Sequence, residues 1–413
     1  MERRVVITGM GAVTPIGNNI EQYWDGLKNG KCGIDFITHF DTTDFKVKIA
    51  GELKDFDPLV AVEKKDLKRM DDFTVYGICA ANEAIKTSGI DLEKIDKDRF
   101  GVVVGSGIGG VRIIEESAMK LAEKGPGKIG PLCIPMAIGN MAAGQIAIKY
   151  GAQGTCIDVV TACATSTNCL GEAYRTIKHG YADYILAGGA ESTITPLCIA
   201  GFTSLKALST SDDPKRASIP FDKERGGFVM GEGAGVVFME TLESAQARGA
   251  KILAEVVGYG STCDAFHMTS PLTDGSGAAK AMKQAIGEAG IDPSQIDYIN
   301  AHGTSTHLND SSETIAIKLA LGEENAKKVN ISSTKSMTGH LLGATGAIEA
   351  IACILAMQNS TVPPTIGYQV PDEECDLNYT PNKAVKKEIK YALSNTFGFG
   401  GHNAVLCLKK WED

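Results

Sequence analysis

The chain has 413 residues, 43% of them hydrophobic, with 41 Lys and Arg against 50 Asp and Glu, a net charge of −9. That length can bury a large core and allows two or three domains, while the acidic balance removes any general electrostatic case for nucleic acid. Eleven cysteines, an odd number without a C-x-x-C pair, argue against a disulfide framework or a zinc site and point to a reducing cytoplasm.

The opening Met1-Glu2-Arg3-Arg4 runs into a short strand broken by Gly9 and Gly11, a poor signal peptide. Strands are predicted over residues 5–9, 101–104, 157–160, 184–187 and 234–239, and then over 252–258, 296–299, 329–332, 392–395 and 404–408. Helical runs alternate with them, which argues for an α/β protein with parallel or mixed sheets. Irregular stretches at 31–60 and 204–225 are expected to be loops that cover a site or build an interface. Cys156, Cys169 and Cys353 lie in apolar contexts and read as packing residues. The most apolar run, after Leu341, carries Glu349, so no membrane span is expected. Two similar halves, 1–250 and 251–413, describe the organisation better than domains on a linker.

In Val159-Val160-Thr161-Ala162-Cys163-Ala164-Thr165-Ser166-Thr167-Asn168 an apolar strand passes into a helix of small residues. Leu170, Ala173, Tyr174 and Ile177 recur at helical spacing, and Lys178-His179-Gly180 closes the helix. A thiol at its start meets unpaired N–H groups and the positive dipole end, which is expected to favour thiolate. Two histidines strengthen the case for a nucleophile. His302 lies in Asn300-Ala301-His302-Gly303-Thr304-Ser305-Thr306-His307, and His340 in Lys335-Ser336-Met337-Thr338-Gly339-His340-Leu341-Leu342-Gly343. Each follows a strand-like run, and His340 is expected to open a second apolar helix bearing Ile348, Ile351, Ala352 and Leu355 on one face.

Further segments complete the pattern: Arg4-Val5-Val6-Ile7-Thr8-Gly9-Met10-Gly11, Gly105-Ser106-Gly107-Ile108-Gly109-Gly110, Phe221-Asp222, Gly226-Gly227-Phe228-Val229-Met230-Gly231-Glu232-Gly233 and Ser394-Asn395-Thr396-Phe397-Gly398-Phe399-Gly400-Gly401. In order and over nearly the whole chain, they resemble the β-ketoacyl-[acyl-carrier-protein] synthases of the thiolase superfamily, most closely the type II enzymes of dissociated bacterial fatty-acid synthesis. The resemblance implies an α/β, thiolase-like duplicated fold of layered helices and mixed five-stranded sheets, with the site where the halves meet.

It also implies roles. Cys163 would take an acyl group from a thioester, and backbone N–H groups of Cys163 and Phe399 would form the oxyanion hole. His302 and His340 would receive a malonyl thioester oxygen as CO₂ leaves, with Lys335 and Glu349 supporting His340 and no metal or redox cofactor required. Thr304 and Thr306 would hold the pantetheine arm, Ile108 and Phe202 would line the acyl pocket, and Phe399 would gate it. Asn300, Glu349, Ser394 and Asn395 resemble positions that hold a structural monovalent cation in some relatives. The basic run Lys64, Lys65, Lys68 and Arg69, with Lys206, would form a helix that docks acidic acyl carrier protein. A C2 homodimer is expected.

Ser166 replaces an expected glycine and His307 an expected proline. These departures touch the fine geometry near the pantetheine tunnel and chain-length preference, not the reaction class. Other readings are a polyketide-type ketosynthase, a thiolase-like coenzyme A acyltransferase and a non-catalytic chain-length-factor subunit. The second wants another reactive cysteine, which Cys407 inside the last strand fits poorly; the third would lack the nucleophile.

Overall fold

The computed structural model describes residues 3–412, so Met1 and Glu2 of the N-terminal reading lie outside the described residues. Ten strands form one sheet: β1 Val5–Val13, β2 Phe100–Gly105, β3 Cys156–Ile157, β4 Tyr184–Glu191, β5 Gly233–Thr241, β6 Ala254–Cys263, β7 Tyr298–Asn300, β8 Asn330–Ser332, β9 Tyr391–Gly398 and β10 His402–Lys410. From its outer edge inward the first half runs β3-β2-β4-β5-β1, and the second runs β8-β7-β9-β10-β6. These are the same order of first to fifth strand. In each half the two outer pairings are parallel and the two inner ones antiparallel. The halves join where Val5, Val6 and Ile7 pair with Val256, Glu255 and Ala254. Each half thus supplies a mixed five-stranded block, and the two expected sheets are joined edge to edge into one continuous sheet.

Helices α1 Asp72–Ser88, α2 Thr165–Lys178, α3 Pro196–Ser204, α4 Ser276–Ala289, α5 His307–Leu321 and α6 Thr345–Asn359 cover the sheet and build the site. Strand side chains alternate between faces. On β2, Val103 joins a core with Leu170 of α2 and Ile348 of α6, while Val102 and Val104 join a separate core with Phe73 of α1. In the second half Ile299, Leu393 and Val405 pack with Ala281 of α4 and Ile317 of α5. The duplication reaches single residues. A Cβ on Gly9 or Gly11 would lie 2.1 or 2.0 Å from the carbonyl oxygens of Ala84 and Ala80, so α1 rests directly on β1. Gly258 and Gly260 repeat that contact under α4, at 2.0 and 1.9 Å from the carbonyl oxygens of Ala285 and Ala281.

Helix α6 touches strands of both halves and is buried from Thr345 to Met357. The sequence reading expected no membrane span here. Leu342–Asn359 does have the length and mean hydropathy, 1.2, of a membrane span, but 89% of it is buried inside the protein. Its apolarity serves a core helix that has no solvent face. The strand predicted at 157–160 shrinks to β3, a sheet edge paired on one side only. Cys156 is exposed there rather than packed, whereas Cys169 and Cys353 are buried. The 31–60 and 204–225 stretches are largely irregular, apart from short turns and the two-residue pairing of Asp35–Phe36 with Ile49–Ala50.

Candidate active site

The chain reaches Cys163 through a strained turn. Ala162, at φ 51°, opens a 3₁₀ turn Ala162–Ala164 that passes into α2 at Thr165. Leu342, at φ 45°, opens Leu342–Ala344, which passes into α6 at Thr345. Non-glycine residues held there cost about 1–3 kcal/mol each, so the recurrence of one strained turn in both halves marks it as a built feature. Cys163 thereby corresponds to Gly343. His340 does not open a helix, as expected from sequence, but sits before the strained turn in a bridge to Met230, with its N–H on the Val229 carbonyl at 2.7 Å.

Cys163, Phe202, His302, His340 and Phe399 line one pocket of about 350 Å³. The two imidazoles stand edge to face with centroids 5.3 Å apart at 84°. Behind them, the N–H groups of His302 and Gly303 donate to the two oxygens of Glu313 at 2.9 and 2.8 Å, and Asn395 donates to the same carboxylate at 3.2 Å. His340 Nδ1 lies 2.9 Å from the Thr345 hydroxyl. His302 Nδ1 and His340 Nε2 are buried without a hydrogen-bond partner among the described residues. Burial, reinforced by the charge of Lys335, holds both imidazoles neutral, well below the usual histidine range. Lys335 Nζ donates to Glu349 Oε1 at 2.5 Å, both side chains being buried. Burial raises the Glu349 carboxyl, and Lys335 pulls it part of the way back.

The thiolate expectation is reversed. Burial pushes the Cys163 thiol up to about 12, against the opposing charge of Lys335 and the backbone N–H groups of Phe399 and Cys163 that face the sulfur. The sulfur lies on a pocket floor with aromatic walls, where desolvating a thiolate outweighs what a helix end returns. The glycine-rich loop presses on that turn from outside: a Cβ on Gly398 would lie 2.7 Å from the Thr161 oxygen and 3.2 Å from the Cys163 nitrogen. This close approach brings the Phe399 N–H to the sulfur and its ring to within 6.4 Å of Phe202.

Models described as Beta-ketoacyl synthase, N-terminal domain, and Beta-ketoacyl synthase, C-terminal domain, match residues 2–245 and 253–369. The chain belongs to the beta-ketoacyl synthase family. It is 50% identical to the 3-oxoacyl-[acyl-carrier-protein] synthase 2 of Synechocystis sp. over 412 residues, 100% of this chain and 99% of that one. It is 52% identical to the protein of the same name from Staphylococcus aureus strain COL over 410 residues, 99% of each. Among solved structures it is similar, with a TM-score of 0.93 and 36% identity over all of both chains, to one described as a type II PKS acyl-carrier protein in complex with its ketosynthase bound to the hexaketide. A Beta-ketoacyl synthase from Burkholderia phymatum gives 0.92 and 33% over the same extent.

Other positions expected in a beta-ketoacyl synthase fall as follows. Thr304 and Thr306 line the pocket with hydroxyls 3.0 Å apart, and Lys206 and His307 are exposed at its rim. Ile108 does not line the pocket and is 40% exposed, because its loop turns the Gly107 and Ile108 N–H groups inward onto Glu191. Lys64, Lys65, Lys68 and Arg69 are exposed, but they lie on no helix. Only Leu67–Arg69 forms a 3₁₀ turn, and Lys65 and Arg69 pair with Glu63 and Asp66 at 2.8 and 3.7 Å. Asn300 and Ser394 are register partners on β7 and β9. Asn300 Oδ1, Glu349 Oε2, Ser394 Oγ and Asn395 Oδ1 are buried without partners among the described residues, and such hard oxygen donors fit a monovalent cation.

Ser166 is buried, and its Oγ accepts the Ala347 N–H at 2.9 Å. That satisfies a first-turn donor of α6, which has no side-chain cap of its own. Sequence reasoning missed Glu313, Thr345 and Glu191. Glu313 is eleven residues from His302 on an ordinary-looking helix, and no local spacing separates it from a surface glutamate.

Proposed function

We propose that this chain is a 3-oxoacyl-[acyl-carrier-protein] synthase that lengthens acyl chains by decarboxylative condensation with malonyl carrier protein. One observation carries the reading: a half-buried thiol, two imidazoles held neutral by burial and two backbone N–H donors converge in one pocket. Cys163 attacks the acyl thioester, the acyl–sulfur bond to the carrier breaks, and the thiol proton leaves with the carrier thiol. The N–H groups of Cys163 and Phe399 stabilise the oxyanion, a contribution of about 10²–10³ in rate per donor. Malonyl thioester then enters along Thr304 and Thr306. As CO₂ departs, the electron pair moves onto the thioester oxygen, which His302 and His340 receive; neutral imidazoles can donate there without surrendering a proton to carboxylate. The resulting carbanion attacks the acyl-Cys163 carbonyl, a carbon–carbon bond forms, and the carbon–sulfur bond breaks to release Cys163 as a thiolate that takes a proton from water. Phe202 and Phe399 bound the acyl channel, and Lys335 with Glu349 holds the charge balance around the imidazoles.

The partner is acyl carrier protein, docked by Lys64, Lys65, Lys68, Arg69 and Lys206. Eleven unpaired cysteines favour a cytoplasmic setting. A homodimer is supported by the open β3 edge, where Ile157 and Val160 are 41% and 57% exposed; a single-chain mass in sedimentation equilibrium would overturn it. Asn300, Glu349, Ser394 and Asn395 would hold a structural cation. Cys407, fully buried in β10, makes a poor second thiol for thiolase chemistry. The test is single-turnover acyl transfer to Cys163, read by intact mass across carrier-bound chain lengths. Acylation from coenzyme A thioesters in preference to carrier thioesters would overturn the assignment.

A further inference from the structure

Glu191 ends β4 fully buried and makes no ion pair among the described residues, an expensive way to hold a carboxylate. Four donors converge on it. Ser106 Oγ and the Ile108 N–H reach Oε1 at 2.8 and 3.3 Å, and the Gly107 and Gly343 N–H groups reach Oε2 at 2.8 and 2.9 Å. Those donors come from both halves of the duplicated fold, and Gly343 is the counterpart of Cys163. The glycines make room for the carboxylate: a Cβ on Gly343 would lie 2.6 Å from Oε2, and one on Gly107 would lie 2.8 Å from it and 3.4 Å from the Ala162 oxygen. Ala162 is the strained residue immediately before the nucleophile.

We propose that Glu191 is a positioning residue of this site: its buried carboxylate clamps Gly107 and Gly343 behind the Cys163 turn and sets a negative charge beside the thiol. The inference rests on Cys163 being the nucleophile. Four donors and no acceptor among its partners favour the ionised form, while burial pushes Glu191 up to about 7. The charged or titratable groups that face Cys163 are then Lys335, which promotes ionisation, Glu191, which opposes it, and the neutral His302 and His340. The clamp adds to burial in keeping the resting sulfur a thiol and fixes the turn that presents it.

Two variants separate charge from reach. Glu191→Gln keeps the carbonyl that accepts from Gly107 and Gly343 and can turn its amide to Ser106, but removes the charge. Iodoacetamide alkylation of Cys163 at about pH 8 is expected to run about two- to fivefold faster than in the wild type, because a more ionised thiol gains more than its lowered nucleophilicity loses. Glu191→Asp keeps the charge but shortens the reach; alkylation should stay slow while condensation falls severalfold. Wild-type protein alone carries the same prediction. Below about pH 7, where Glu191 takes up its proton, log rate should fall with a slope shallower than one. Unchanged alkylation in the Gln variant, or a unit slope throughout in the wild type, would overturn the proposal. Alkylation needs no carrier protein, so its outcome stands apart from the condensing activity.

Discussion

At the scale of single residues, the proposed chemistry is divided between a thiol and two imidazoles that burial holds well below the usual histidine range. Cys163→Ala should abolish both acylation and condensation and leave the fold intact, since one small side chain replaces another. His302→Ala and His340→Ala should instead lose malonyl decarboxylation by about 10²-fold or more, while acylation of Cys163 falls far less. The division follows from geometry: the N–H groups that face the sulfur belong to Cys163 and Phe399, and the unpartnered imidazole nitrogens belong to the histidines. Labelled CO₂ release and intact-mass acylation measure the two steps separately. Collapse of acylation with CO₂ release preserved would mean the histidines serve the other half-reaction.

Among elements, the contact that matters most is between the first turns of α2 and α6. Ser166 satisfies the Ala347 N–H across that contact, and Thr345, in the same turn of α6, holds His340. Ser166→Ala strands the donor in the core, at a cost of about 1–3 kcal/mol. The urea midpoint should drop accordingly, and turnover should fall with little change in KM for acyl carrier substrate. An unchanged midpoint would mean that the helix contact does not need this hydroxyl. The basic turn around Leu67 makes the opposite prediction. Lys65→Glu with Lys68→Glu should raise KM for carrier-bound substrate and leave turnover of short pantetheine thioesters unchanged. Carrier binding to the wild type should weaken with salt, since exposed charges are screened over about 8–10 Å. Equal effects on both substrates would place docking elsewhere.

For the whole molecule, buried carboxylates set the pH dependence of stability. Burial pushes Glu191 and Glu313 up to about 7 from an ordinary 4.5. The folded chain therefore holds more protons than the unfolded one between those values, and their contribution, present below the lower value, is lost as pH rises through the upper. Asp222 works the other way. Burial raises it, but Arg216 and the N–H groups of Val370 and Gln369 pull it below the usual 3.8. Its contribution is present above that value and lost in acid. Thermal midpoints should thus peak at about pH 4 and decline toward about pH 7, and Glu313→Gln should flatten the decline. A midpoint that rises steadily through that range would contradict the assignment.

The sequence by itself carried the class, and it proposed the halves and the reacting groups, because each is written in local pattern. Alternating apolar runs of strand and helix length placed nine of the ten strands of the sheet and touched β3 only at Ile157, and the echo between the Cys163 and His340 segments anticipated a duplication that the matched strand orders and the Gly9–Gly11 and Gly258–Gly260 contacts make explicit. Family-like motifs marked Cys163, His302, His340, Lys335 and Phe399, all but Lys335 lining one pocket. Only the tertiary structure decided what burial does. It reversed the thiolate expectation at Cys163, moved Ile108 out of the pocket and placed the carboxylates of Glu191 and Glu313 behind the site. Ionisation, exposure and backbone hydrogen bonding depend on neighbours distant in the chain, and no local spacing records them.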